Sequence, residues 1–181
     1  ISKECNAKVI SIDYRMCPEV SFPQPIIDCF NLWNYVQINA KTLKIDPRRV
    51  ALAGDSAGGL ISLTLSAELK NREVQPVAVC VAYPWVTTSM DSQNSLETCA
   101  HVFPLDRKTV DFFRETVFPN ELNIGHKWAN PLLRDDLTNL PPMIIATAGF
   151  DPIRDQGNQF AKKIKENKNI VKHLFFKNLC H

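Results

Sequence analysis

Glycine and histidine are scarce. The 181 residues hold six glycines, none before Gly54, and four histidines, none before His101. Neither G-x-x-x-x-G-K nor G-x-G-x-x-G occurs, so a glycine-rich phosphate loop is excluded. No two of the six cysteines (5, 17, 29, 80, 99 and 180) stand in C-x-x-C spacing. A zinc site or redox dithiol therefore has no support, and no metal is expected. Several of these cysteines lie in apolar stretches, where a free thiol behaves as a small hydrophobe. The chain has no N-x-[ST] sequon, no apolar run of 18 residues and no signal-peptide pattern. It also lacks a surplus of charge. Lys and Arg total 21 against 19 Asp and Glu, a net +2, which argues against a nucleic-acid partner. The one basic run, Lys162 to Lys168, is interrupted by Ile164 and Glu166 and reads as a solvated helix face.

Apolar residues make up 45% and charged residues 22% of the chain, which are ordinary globular values. The length suits one domain with a sizeable core, or part of a larger one. Along the chain, short apolar runs alternate with helical patterns. Strands are expected at Val9–Ile12, Val50–Ala53, Val77–Tyr83, Met143–Ala148 and Ile170–Phe176. Ile26, Phe30, Trp33 and Val36 recur at helical spacing, predicting a helix over about 25–39. A second helix is expected at about 57–70, apolar on most sides and hence buried. A third begins after Asp151, with Phe160 and Ile164 on one face. Residues 86–130 are more polar, contain a predicted helix near 106–117, and read as an insertion lying over the domain. Repeated strand–helix units imply an α/β fold, a parallel sheet with helices on both faces.

Residues 54–59, GDSAGG, follow one expected strand and open the next helix. In that setting G-x-S-x-G describes a sharp turn that lifts a serine hydroxyl clear of the sheet. The serine must take a strained backbone, at roughly 1–3 kcal/mol. Side chains at positions 54 and 58 are expected to collide across the turn, hence Gly54 and Gly58. Gly59 is expected to let the helix approach the sheet closely. The Ala57 N–H, at the helix start, is placed to stabilise an oxyanion.

A serine hydroxyl needs a base to take its proton, and the base needs an orienting acid. In parallel α/β sheets such partners sit at the carboxyl ends of strands, in the chain order serine, acid, histidine. Asp151 follows a strand after the turn Gly149-Phe150. Asp155 is better explained as a helix cap, and Asp135 and Asp136 lie at the strand's wrong end. His101 and His126 precede Asp151. His173 lies inside the last strand, where packing is its expected role. His181 follows that strand, and is the base in this reading.

These segments together resemble the hormone-sensitive-lipase-like branch of the α/β-hydrolases. Asp13-Tyr14-Arg15-Met16-Cys17-Pro18-Glu19 is similar to the branch's D-Y-R-L-A-P-E segment, with Met and Cys as departures. Gly54-Asp55-Ser56-Ala57-Gly58-Gly59 is similar to its nucleophile elbow. Tyr83-Pro84, Asn130-Pro131-Leu132 and Leu140-Pro141-Pro142 resemble later landmarks. Gly149 to Gly157 resembles its acid segment, whose first aspartate is the triad acid. Asn178-Leu179-Cys180-His181 resembles its G-x-x-H end, with Asn in place of glycine. The resemblance implies Ser56, Asp151 and His181 as the triad. It also implies an upstream H-G-G-G oxyanion loop and earlier strands, which these residues do not contain. On that expectation the chain corresponds to the C-terminal two-thirds of a catalytic domain, and alone is inactive and poorly folded.

The expected chemistry is ester hydrolysis by acyl transfer, with a small-molecule or lipid ester as substrate and no cofactor. Trp85, Val102, Phe103, Phe112, Phe113 and Phe118 are candidate pocket residues, although ordinary packing accounts for each of them singly. Two other classes stay open: a ligand receptor that kept the fold but lost catalysis, or a pseudoenzyme if the natural chain begins at Ile1. A pocketless interaction module is disfavoured by the strained elbow. Unpaired cysteines and the missing sequon lean towards an intracellular location, cytoplasmic or at the endoplasmic reticulum. Membrane association is expected only through a segment upstream. Nothing in the sequence sets an oligomeric state.

Overall fold

The short apolar runs become strands where a neighbour can complete their hydrogen-bond ladder. In the computed structural model, which describes residues 1–91 and 93–181, four strands form one parallel sheet. They are β1 (Leu52–Asp55), β2 (Val79–Ala82), β3 (Met143–Phe150) and β4 (Val171–Cys180), in spatial order β1-β2-β3-β4. The helices are α1 (Ser2–Cys5), α2 (Gln24–Ile38), α3 (Ala40–Leu43), α4 (Ser56–Leu69), α5 (Asn94–Thr98), α6 (Arg107–Val117), α7 (Glu121–Ile124) and α8 (Arg154–Glu166). Parallel neighbours need a crossover. Here α4 links β1 to β2, α5 to α7 lie between β2 and β3, and α8 links β3 to β4.

Helix α2 buries Ile26, Cys29, Trp33 and Val36, a spacing of three and four residues that keeps one stripe facing inward. Helix α4 is buried on nearly every side because it lies between two layers. Its Leu60, Ile61, Leu65 and Leu69 pack with α2, Trp85 and Phe118, while Leu63 and Ala67 pack on the sheet. Its buried hydroxyls find carbonyls: Thr64 Oγ1 donates to Trp128 O at 3.0 Å and Ser66 Oγ to Leu63 O at 2.8 Å. Leu63 and Ala67 share their cluster with Val79, Val81, Met143 and Ile145 of the sheet and with Phe160, Ala161 and Ile164 of α8. Thus α4 and α8 cover the same sheet face. On the opposite face Cys80 and Ile144 are exposed.

The strand expected at Val9–Ile12 does not form. Residues 7–16 carry no regular structure, and Val9 and Ile10 stay exposed. Among the described residues nothing pairs with the outer edge of β1, and a run without a ladder partner gains nothing from being a strand. Strand β1 begins two residues later than its apolar run, at Leu52, where Val79 pairs with it. Strand β4 outlasts its apolar run by four residues and ends at Cys180, since β3 continues beside it to Phe150 and the register shifts between Ala148 and Phe150. Segment 86–130 contains α5 to α7, and its Val86, Leu96, Val110 and Ala129 are buried. Asp106 caps α6 by accepting from Thr109 N at 2.7 Å.

Candidate active site

Strand register brings the site together. Phe150 pairs with Cys180, so the next residue of each strand, Asp151 and His181, come side by side. Asp55 pairs with Ala82, so Ser56 and Tyr83 likewise emerge together at the carboxyl edge. The His181 Nδ1 lies 2.9 Å from Asp151 Oδ2, and His181 Nε2 lies 2.9 Å from Ser56 Oγ. An unbroken hydrogen-bonded line therefore runs from carboxylate through imidazole to hydroxyl. Asp151 is fully buried, and its second oxygen, Oδ1, accepts from Ile153 N at 2.8 Å. That bond fixes the carboxylate's orientation. The His181 side chain is 12% exposed.

Ser56 adopts φ 49°, the left-handed region that a non-glycine residue enters at a cost. This strain turns the chain from β1 into α4 with the hydroxyl pointing to His181. A Cβ on Gly54 would stand 2.3 Å from Gly58 O. On Gly58 it would meet nothing within 4 Å, so the expected collision runs one way only: position 54 needs glycine and position 58 has room. Gly59 admits not the sheet but the chain just beyond β2, since its Cβ would lie 2.7 Å from Pro84 Cβ. Asp55 is the N-cap residue of α4, exposed, with no side-chain cap bond. Ala57 is the second residue of α4 and exposed, so its N–H has no carbonyl partner inside the helix.

Other sequence candidates lie elsewhere or act otherwise. Asp155 does not cap its own helix. It lies within α8, accepts from Ser95 N at 2.8 Å and pairs with Arg154 Nε at 3.0 Å, thereby tying α5 to α8. His173 is exposed rather than packed, with Nε2 2.8 Å from Thr147 Oγ1; partial burial lowers its pKa from the ordinary histidine value. His126 stands edge-on to Phe22 and Trp128, and its pKa is lowered by burial and by Lys127. Of the aromatic candidates, Trp85 and Phe118 are buried and join Phe22, whereas Phe103, Phe112 and Phe113 are exposed. Surface cavities of about 440 and 510 Å³ are lined by none of Ser56, Asp151 and His181.

One more side chain stands beside the relay, Tyr83, which the sequence marks only as part of the landmark Tyr83-Pro84. The Tyr83 ring centroid lies 4.5 Å from that of His181, at an interplanar angle of 50°. The expected strand Val77–Tyr83 hid it: in the structure β2 ends at Ala82, so Tyr83 directly follows a strand, as Asp151 does. Among the described residues, no cluster of three or more His, Cys, Asp or Glu is arranged to hold a metal ion.

Comparison with known proteins gives a consistent picture. A family model described as alpha/beta hydrolase fold matches residues 1–181. The chain is 32% identical over 167 residues to an arylesterase of Saccharolobus solfataricus, covering 92% of this chain and 55% of the relative. It is 38% identical over 161 residues to the carboxylesterase NlhH of Mycobacterium tuberculosis, covering 86% of this chain and 50% of the relative. The crystal structure of EstE1, a thermostable carboxylesterase from a metagenomic library, superposes with a TM-score of 0.94 at 31% identity, covering 99% of this chain and 62% of that one. The chain spans about half the length of the curated relatives it matches.

Proposed function

Because the chain belongs to the alpha/beta-hydrolase fold family, in its hormone-sensitive-lipase-like branch, we propose that the full-length protein is a serine carboxylic-ester hydrolase working by acyl transfer. The observation that carries this reading is the pair of 2.9 Å contacts joining Asp151, His181 and Ser56. Ser56 Oγ attacks the ester carbonyl as His181 Nε2 takes its proton. Asp151 holds the imidazole in the tautomer with hydrogen on Nδ1 and stabilises the imidazolium that forms. The Ala57 N–H donates to the developing oxyanion, aided by the positive end of α4. The tetrahedral intermediate collapses, and His181 returns the proton to the departing alcohol. Water then attacks the acyl-serine, with His181 again as base, releasing the acid and restoring Ser56. No metal or organic cofactor enters any step.

The substrate class is a small-molecule or lipid ester, supported by relatives named as esterases. Residues 86–130 form part of a cover over the cleft in this reading, with Trp85 and Phe118 on its apolar wall. A receptor on the same fold would need no hydroxyl in hydrogen-bonding register with an oriented imidazole. The test is Ser56→Ala in the full-length protein, assayed on a short-chain p-nitrophenyl ester. Turnover is expected to fall by about 10⁴-fold or more. Turnover within tenfold of wild type would remove Ser56 from the mechanism.

A further inference from the structure

Each of the four strands is followed at once by a residue that reaches the relay: Ser56 after β1, Tyr83 after β2, Asp151 after β3 and His181 after β4. Three of these have assigned parts in the proposed chemistry. The fourth has none, yet its ring lies against the imidazole and its backbone is strained. Tyr83 adopts φ 35°, a region that glycine enters freely and a bulky aromatic residue does not. A bulky side chain held there is over-determined by its surroundings. The Tyr83 N–H donates to Ala146 O at 2.7 Å. Two residues on, Trp85 N donates to Ser56 O at 3.2 Å, and Pro84 lies against Gly59 and Gly157. The strap 83–85 is thus pinned to β3, to the nucleophile turn and to α8, with the ring of Tyr83 projecting onto His181.

We propose that Tyr83 is the positioning residue for the base: its ring holds the His181 imidazole in line with Ser56 and stabilises the imidazolium that forms when Ser56 loses its proton. The inference rests on the acyl-transfer reading above. A ring face within about 6 Å of a cation attracts it, and the attraction strengthens where water is excluded. The 4.5 Å separation is inside that limit. The neutral imidazole of the resting state gains less from the ring than the cation does, so the contact favours the transition state selectively. Burial, then the carboxylates of Asp55 and Asp151, hold the Tyr83 phenol above its ordinary pKa, so the ring stays uncharged throughout the range in which histidine titrates.

The experiment uses the full-length protein and three variants. Tyr83→Gly removes the ring while accepting the positive φ. Tyr83→Leu keeps bulk without a π face. Tyr83→Phe keeps the face without the hydroxyl. In Gly and Leu, kcat and the pre-steady-state acylation burst on a p-nitrophenyl ester are expected to fall about 3- to 30-fold, with KM within twofold. Phe is expected to restore wild-type kcat, and thermal melts show whether each variant is folded. Wild-type kcat in either folded ring-less variant overturns the proposal, as does a loss in Phe as deep as in Gly. A change in KM alone, with kcat unchanged, also overturns it. Ser56→Ala in the same assay separates the two claims: if that variant turns over normally the acyl-transfer reading fails, whereas a dead Ser56→Ala beside an unaffected Tyr83→Gly sinks this inference alone.

Discussion

The two glycines of the G-x-S-x-G turn should respond to the same substitution in opposite ways. At Gly54→Ala the new Cβ would meet Gly58 O at 2.3 Å, Gly58 C at 2.4 Å and Gly58 Cα at 3.0 Å. Real Cβ contacts hardly ever fall below 3.0 Å, so the two backbones must part by at least 0.7 Å. All three obstructing atoms are backbone, so no side chain can swing aside. One end of the clash is fixed by the β1 ladder and the other by the first turn of α4. Overpacking of this kind costs about 1–3 kcal/mol or more. Moving Ser56 by most of an ångström relative to His181 costs about 100-fold in rate. At Gly58→Ala the Cβ enters open space, and the glycine's φ is not positive. The substitution should instead stabilise α4 by about 0.5–1 kcal/mol. The assay is thermal unfolding together with kcat/KM on a p-nitrophenyl ester, both in the full-length protein. A Gly54→Ala protein that melts and turns over like wild type, or a Gly58→Ala protein destabilised as much as Gly54→Ala, would refute the reasoning.

Arg134 is the best-buried cation of a small network: its side chain is 4% exposed and forks to Glu68 at 2.7 Å and Asp136 at 2.6 Å. Arg134→Met leaves Glu68 with Lys127 alone, and because the Glu68 and Asp136 side chains are 20% and 55% exposed the expected cost is about 1–2 kcal/mol in urea unfolding; an unchanged stability contradicts this reading. Burial, then Asp28, raises the Cys29 thiol from 9.0 to about 11. The folded state therefore holds this proton longer than the unfolded chain, so the stability it contributes is complete below pH 9.0 and drains away as pH climbs towards about 11. Wild type should lose melting temperature across that window more steeply than Cys29→Ala, and parallel curves would count against the assignment.

What the sequence made legible was whatever local patterning decides. The α2 stripe at 26, 29, 33 and 36, the apolar runs that became β1 to β4, and the strand–GDSAGG–helix order all show in the chain itself. What stayed hidden depends on non-local pairing. Val9–Ile12 has a strand's composition and no ladder, because composition cannot say whether an edge is occupied. Of the four extra residues of β4, two match the run of β3 on to Phe150 and two are taken up by the register shift between Ala148 and Phe150; together they carry the chain to His181. The role of Asp155 was hidden for the same reason: the donor it accepts from, Ser95 N, is 60 residues away. The glycine asymmetry was out of reach too, since a repeated letter in a motif does not reveal which copy faces a neighbour.

Two strained residues, Ser56 at φ 49° and Tyr83 at φ 35°, stand at the ends of adjacent paired strands. Strain of this sort costs about 1–3 kcal/mol per residue and survives only where packing leaves the backbone no cheaper course. Here one set of contacts holds both. Pro84 packs where Gly59 has no side chain, and Trp85 N closes on the carbonyl of Ser56 itself. Releasing either turn would break a bond that fixes the other. The serine's direction and the ring's direction are therefore not independent features that happen to converge. They are two consequences of β1 and β2 ending in register, with the relay completed by β3 and β4 doing the same at Asp151 and His181. A site built this way is set by strand lengths and by the contacts across their ends, so its geometry should be as stiff as the sheet that carries it.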